Sequence, residues 1–219
     1  MIAAQRTLEL VLPASCVGCG TGGTYLCDAC LAEAAPVEHA EAGAPAALDS
    51  VTTAFAYKGV PRIAVHRLKY AGLRAIAPSM AAPMTRALFG RIAVDAVVPV
   101  PLHPIKLRGR GFNQTLLLAR GVGEAIGVPV WDTALERLTN AGSQVDAPAQ
   151  RPRCVGLHWK ADVVGLRLVL VDDVVTTGAT LASAARSLKA AGAAEVHGLT
   201  FALGGQREEA AGEPGYELR

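Results

Sequence analysis

The chain has 219 residues, a formal net charge of +2 and 51% hydrophobic residues, of which few are aromatic. That length can bury one good core plus a small appendage. The charge is too mild to announce nucleic-acid binding by itself, and no apolar run approaches the roughly 20 residues that span a bilayer.

The opening "MIAAQRTLELVLP" reads as a short helix. Arg6 and Glu9 interrupt what would be the apolar core of an export signal, and Pro13 sits where a lipoprotein cleavage motif wants an aliphatic residue. A cytoplasmic protein is expected. Next comes "CVGCGTGGTYLCDAC", in which Cys16, Cys19, Cys27 and Cys30 form C-x2-C-x7-C-x2-C. In a reducing compartment disulfides are not expected, and two such pairs suit the tetrahedral thiolate set of a structural zinc site. A redox pair is the alternative. Cys154 stands alone and reads as a small, partly buried side chain.

"LAEAAPVEHAEAGAPAALDS" reads as a short helix and a linker, with a boundary near residue 50. "VTTAFAY" alternates like a strand, and "PRIAVHRLKYAG" reads as a helix with Pro61 in its first turn and Gly72 past its end. "IAPSMAAPMTRALFG" is expected to be helical despite Pro78 and Pro83, and "VDAVVPVP" (94–101) reads as a strand buried on both faces. A glycine-rich basic turn follows, then a helix over "NQTLLLARGVGEAIG" with Asn113 as N-cap and Gly127 beyond its end. "VPVWDTALERL" holds a short strand, and 139–156 reads as a long irregular loop. "LRLVLV" is a second buried strand expected to end at Val171, "TLASAARSLKAAG" a helix, "EVHGLTFAL" a third strand, and the last 15 or so residues a polar tail. Strands alternating with helices predict an α/β fold with a parallel sheet flanked by helices.

The most informative stretch is "LVLVDDVVTTGAT", residues 168–180. Ligands of parallel α/β sheets collect beyond the carboxyl ends of the strands, which is where Asp172 and Asp173 are expected. Val174, Val175, Thr176, Thr177, Gly178, Ala179 and Thr180 then turn into the helix. Amides of 176–180 at a helix N-terminus, with the threonine hydroxyls, make a cradle for a phosphate. A phosphate beside two carboxylates points to a phosphorylated sugar whose hydroxyls the acids hold, with Mg²⁺ alongside. Nothing basic within the stretch can pair with either acid, so a polyol ligand is their expected partner. Ahead of the Asn113 helix, "PLHPIKLRGRGFNQ" sets Lys106, Arg108 and Arg110 among glycines, where they could meet a pyrophosphate group if the two strands are neighbours.

The apolar run followed by D-D-x-x-T-T-G-x-T resembles the signature loop of type I phosphoribosyltransferases at every position. With "VPVPLH…RGRGFNQ", "LKYAG" (68–72) and the cysteine quartet, the chain resembles the ComF family of competence-associated proteins from Cys16 to about Leu203. The resemblance implies a zinc-finger-like module in 1–35, a linker in 36–50, a phosphoribosyltransferase-like domain in 51–204 and a tail in 205–219. It implies binding of 5-phosphoribosyl-1-pyrophosphate (PRPP) with Mg²⁺ and transfer of the phosphoribosyl group to a nitrogen acceptor. Asp172 and Asp173 would be the catalytic pair, with Asp173 as a further candidate for base toward the acceptor. It also implies a link to natural transformation, with single-stranded DNA and a competence helicase as partners. The alternative is a non-catalytic DNA-handling factor that uses the site to sense PRPP or a nucleotide. Arg62, His66, Arg67, Lys69, Tyr70 and Arg74 would be its candidate DNA surface, together with the cysteine module; a helix with one wet basic face is the plainer account. The pattern departs in the long loop. Gln144 and Arg151 fit, but Cys154 stands where the family has Asn, and His158-Trp159 replaces its usual ending, which puts that loop's catalytic role in doubt.

Overall fold

The computed structural model describes residues 13–37, 47–90, 92–137, 156–157 (backbone only) and 162–205. The expected N-terminal helix, most of the linker, the tail, and Gln144, Arg151, Cys154, His158 and Trp159 lie outside them.

Four parallel strands form the sheet: β1 (Ser50–Ala56), β2 (Ala96–Pro99), β5 (Arg167–Val175) and β6 (Glu195–Leu203), in the order β1-β6-β5-β2. A two-residue ribbon of β3 (Leu135–Glu136) and β4 (Gly156–Leu157) pairs antiparallel beside it. The helices are α1 (Asp28–Ala32), α2 (Gly59–Tyr70), α3 (Ala77–Leu88), α4 (Pro104–Arg110), α5 (Gln114–Ile126) and α6 (Ala179–Ala190).

The central strands are apolar on both faces because helices cover both faces. Val169 and Val171 of β5 pack with α2, α3 and α5, whereas Leu168 and Leu170 pack with Leu181, Ala184, Ala185 and Leu188 of α6. Each such Leu, fully buried, contributes about 2 kcal/mol of hydrophobic transfer. α5 starts where Asn113 caps it: the Thr115 amide donates to Asn113 Oδ1 at 3.2 Å, and the Thr115 hydroxyl donates to Val100 O at 2.6 Å. Those bonds staple the helix start to the end of β2. α3 accepts Pro78 within its first turn and Pro83 inside, and both ends of the expected span shift by only a few residues.

Two expectations need correction. β5 does not stop at Val171 but runs to Val175, because β6 extends alongside it and Asp172 pairs with Thr200, Val174 with Ala202 and Val175 with Leu203. And the basic stretch after β2 is not an open turn: Pro104–Arg110 is helical. His103 caps it by accepting the Ile105 amide on Nδ1, Pro104 occupies the first turn, and Gly111 closes it at φ 76°.

The connections diverge at one place. From β2 the chain passes through α5 outward to Val130, which bridges to Val97 in parallel; from β5 it passes through α6 inward to β6. Crossovers leaving two neighbouring strands in opposite directions, with their helices on opposite faces, open a crevice at the strands' carboxyl ends.

Candidate functional site

The acids stand at that crevice. β2 ends at Pro99, opposite Val171, and the Val100 amide makes its last bond to Val171 O at 2.9 Å. Past this point β5 has lost its neighbour on one side, and backbone donors need other partners. The carboxylates supply them: the Asp173 amide donates to Asp172 Oδ1 and the Val174 amide to Asp173 Oδ1, each at 2.8 Å.

The two acids differ sharply. Asp173 is 3% exposed and its Oδ2 lies 2.9 Å from Lys69 Nζ, from the last turn of α2. The sequence expectation that both acids lack a protein partner is therefore wrong for Asp173; its partner lies more than a hundred residues away. Lys69 is correspondingly not on an open DNA-facing surface. Burial works against its charge, but the Asp173 carboxylate outweighs that and holds the ammonium above its ordinary value. Asp172 makes no ion pair among the described residues. Loss of water, then the neighbouring Asp173 charge, push its carboxyl up to about 8.

After Val175 the chain bends through Thr176 and Thr177 to Gly178, which sits at φ 69° as the N-cap of α6. A side chain at that position would be strained by about 1 kcal/mol or more. The Ala179 amide contacts Thr177 Oγ1 at 3.4 Å, Thr177 and Ala179 are exposed, and Thr176 and Thr180 are partly exposed. Gly178 itself is buried between these more exposed neighbours, and the bend carries the first amides of a three-turn helix.

On the α2 side lies a cleft of about 370 Å³ lined by Lys69, Tyr70, Gly72, Lys106, Gly109, Arg110 and Phe112. Arg110 reaches the Tyr70 ring at 5.5 Å and donates to Gln114 Oε1, while Arg74 covers the Phe112 ring at 4.4 Å. The structure thus brings two of the three expected cations, Lys106 and Arg110, to a common cleft. Arg108 lies on the same helix but does not line it. Lys69, singled out in the sequence for another role, joins them. Its signal was the "LKYAG" motif, but only the fold could connect that motif to Asp173.

The cysteines form a second site. The Sγ atoms of Cys16, Cys19, Cys27 and Cys30 all lie within 4.8 Å of one another. Four sulfurs around one Zn²⁺ at about 2.3 Å would be about 3.8 Å apart, so the donor set fits that ion. The Cys27 amide donates to Cys16 Sγ and the Cys30 amide to Cys27 Sγ, both at 3.4 Å. Although burial opposes it, backbone amides lower the Cys16 thiol to about 6, and hydrogen bonds led by Thr21 lower Cys19; Cys30 is raised, chiefly by Cys27. The module is not a separate bead. Leu26 is part of the main core, and Gly18 packs so tightly that a Cβ there would be 2.7 Å from Val60 of α2 and 2.8 Å from Cys30 Sγ. No helix among the described residues is long and apolar enough to cross a membrane.

Residues 114–218 match the family described as "Phosphoribosyl transferase domain". Among curated proteins the chain is 35% identical over 142 residues to DNA utilization protein YhgH of Salmonella typhi, a match covering 60% of this chain and 62% of that protein. It is 29% identical over 153 residues to competence protein ComFC of Bacillus subtilis (strain 168), covering 67% and 61% respectively. The chain thus spans less than two thirds of either relative. Among solved structures, the glutamine PRPP amidotransferase of B. subtilis, complexed with ADP and GMP, is 26% identical at a TM-score of 0.39, over 56% of this chain and 25% of that one. Sheet, signature bend and cysteine cluster agree with these relatives: the chain has a type I phosphoribosyltransferase-like fold carrying a four-cysteine cluster, and it is similar to competence proteins of the ComFC kind.

Proposed function

We propose that the protein binds PRPP at the carboxyl edge of β5 and transfers its phosphoribosyl group to a nitrogen acceptor. The observation that carries this is the acid pair, joined by chain to the Gly178 bend at the start of α6 and by Lys69 to a cationic cleft, at a topological switch point. The amides of 176–180 hold the 5′-phosphate, with Val174 and Val175 leading into the bend. The ribose hydroxyls meet Asp172, and Lys106 and Arg110, with Arg108 on the same helix, face the diphosphate. In the reaction the nitrogen–C1 bond forms as the bond from C1 to the diphosphate oxygen breaks. Pyrophosphate leaves with the electron pair, and the nitrogen's proton is lost to solvent. Positive charge developing on the ribose is stabilised by the fixed carboxylates.

Mg²⁺, when bound with the ligand, would supply charge neutralisation of the leaving group. Asp173 offers it no open oxygen: Oδ1 accepts from Val174 and Oδ2 faces Lys69. The same engagement removes Asp173 from the role of base toward the acceptor. Zn²⁺ is the ion we assign to Cys16, Cys19, Cys27 and Cys30, as a structural centre in the module of residues 1–35. A linker of 36–50, a catalytic domain of 51–204 and a tail of 205–219 complete this reading, in a cytoplasmic protein.

Calorimetric titration with PRPP and Mg²⁺ tests it. Micromolar binding is expected for the unmutated protein, with at least a tenfold loss for Gly178→Ala, whose Cβ distorts the amide cradle. An unmutated protein that fails to bind would sink the site. Release of pyrophosphate with a panel of bases and amines then tests transfer.

A second reading is favoured by the names of the relatives, "DNA utilization protein" and "Competence protein". In it the site senses PRPP or a nucleotide while the protein handles single-stranded DNA beside a helicase. Tyr70, 66% exposed beside His66 and Arg110, is an aromatic suited to stacking on a base. Salt-dependent DNA binding without pyrophosphate release would favour it.

A further inference from the structure

Among the described residues, Lys69 is a side chain that belongs to both halves of the site. Its Nζ lies 2.9 Å from Asp173 Oδ2, and it forms part of the cleft wall with Lys106 and Arg110. The side chain is 19% exposed, against 4% for Asp173, so the lysine reaches the cleft while the acid stays behind it. A lysine is suited to such a place, because four rotatable carbons let its charge swing between neighbouring anions. Helix α2 ends at Tyr70, one residue on, and Tyr70 and Gly72, the latter at φ 66°, line the same cleft as Lys69.

We propose that Lys69 is a diphosphate-binding residue held in reserve by Asp173: in the ligand-free protein it neutralises the buried acid, and a diphosphate entering the cleft shares the same ammonium. This rests on the assignment of the cleft to diphosphate and adds a residue to it. The acid and the ligand then compete for one cation. A merely structural ion pair would behave differently, because removing either partner would do the same harm. Competition requires opposite effects: removing the lysine weakens the anion, while neutralising the acid strengthens it.

The test is calorimetric titration with inorganic pyrophosphate and, separately, with ribose 5-phosphate, with thermal melting of each variant as a check on folding. Lys69→Met should weaken pyrophosphate by about tenfold, the scale of one charge-assisted contact, and Lys69→Arg should recover most of that. Asp173→Asn should tighten pyrophosphate by about threefold, and the double variant should bind as weakly as Lys69→Met. The double variant leaves no unpaired charge, so it remains informative should either single variant melt early. Asp173→Asn weakening pyrophosphate as much as Lys69→Met, or Lys69→Met binding it like the unmutated protein, overturns the inference. If the unmutated protein binds both probes, such a result leaves the assigned function standing. Failure of the unmutated protein to bind pyrophosphate removes the inference, and failure with ribose 5-phosphate as well removes the function too.

Discussion

The cysteine module and the acid-pair crevice solve similar problems with opposite economies of sequence. The four thiols lie within residues 16–30, and their spacing alone brings them within 4.8 Å of one another. The crevice gathers its side chains from three stretches, around residues 69–72, 106–112 and 172–180, which meet only when the sheet has formed. A site built from near neighbours depends on its ion for order, whereas one built from distant segments depends on the whole core. The first can therefore lose its order while the sheet stays folded.

The largest expected effect follows from that contrast. Stripping metal with a strong chelator should unfold the module, since a structural Zn²⁺ site carries on the order of 10 kcal/mol of apparent binding energy in small peptides. Limited proteolysis should cut within residues 13–37 while the sheet keeps its far-UV signature. Cuts appearing first in the sheet would erase the distinction. Zinc content of about one ion per chain, lost in Cys16→Ser, is the companion measurement.

An intermediate effect is expected from pH. Asp172, raised to about 8, holds a proton in the folded protein that it would release when unfolded. The folded state then binds more protons between the ordinary carboxylate range and about 8, so stability falls as pH rises through that window. The slope is at most about 1.4 kcal/mol per pH unit for one group. PRPP affinity should move the other way, rising toward pH 8 as the carboxylate that meets the hydroxyls ionises. Denaturant midpoints and titrations on Asp172→Asn, which should flatten both trends, make the check.

The smallest concerns a local signal within the non-local site. Asn113→Ala removes the cap of α5 and one of the bonds around Val100, for a cost of about 1 kcal/mol by urea unfolding. Pyrophosphate binding should hardly change. A large loss there would mean that the crevice depends on each local cap and not on the core as a whole.

What could be read from the sequence follows the same division. The strands β2, β5 and β6, the Asn113 cap, the Gly127 stop and the cysteine set are each written in a few adjacent residues. The sequence puts the end of β5 four residues early because charged Asp172 and Asp173 look like a strand terminus; pairing with β6 carries the ladder through them. The sequence reads as a turn over α4 because Gly109 and Gly111 argue against helix, while His103 and Pro104 start it regardless. The Lys69–Asp173 pair could not be read at all, since no local pattern states which strand end a helix end will meet.

Helix α2 touches Gly18 of the thiol knuckle through Val60 and grips Asp173 through Lys69, nine residues along the same rod. At 1.5 Å per residue those handles are about 14 Å apart on a rigid element. Oxidation or metal theft at the knuckle would thus tug on the far end of a lever, and the acid-pair crevice would feel damage it never meets.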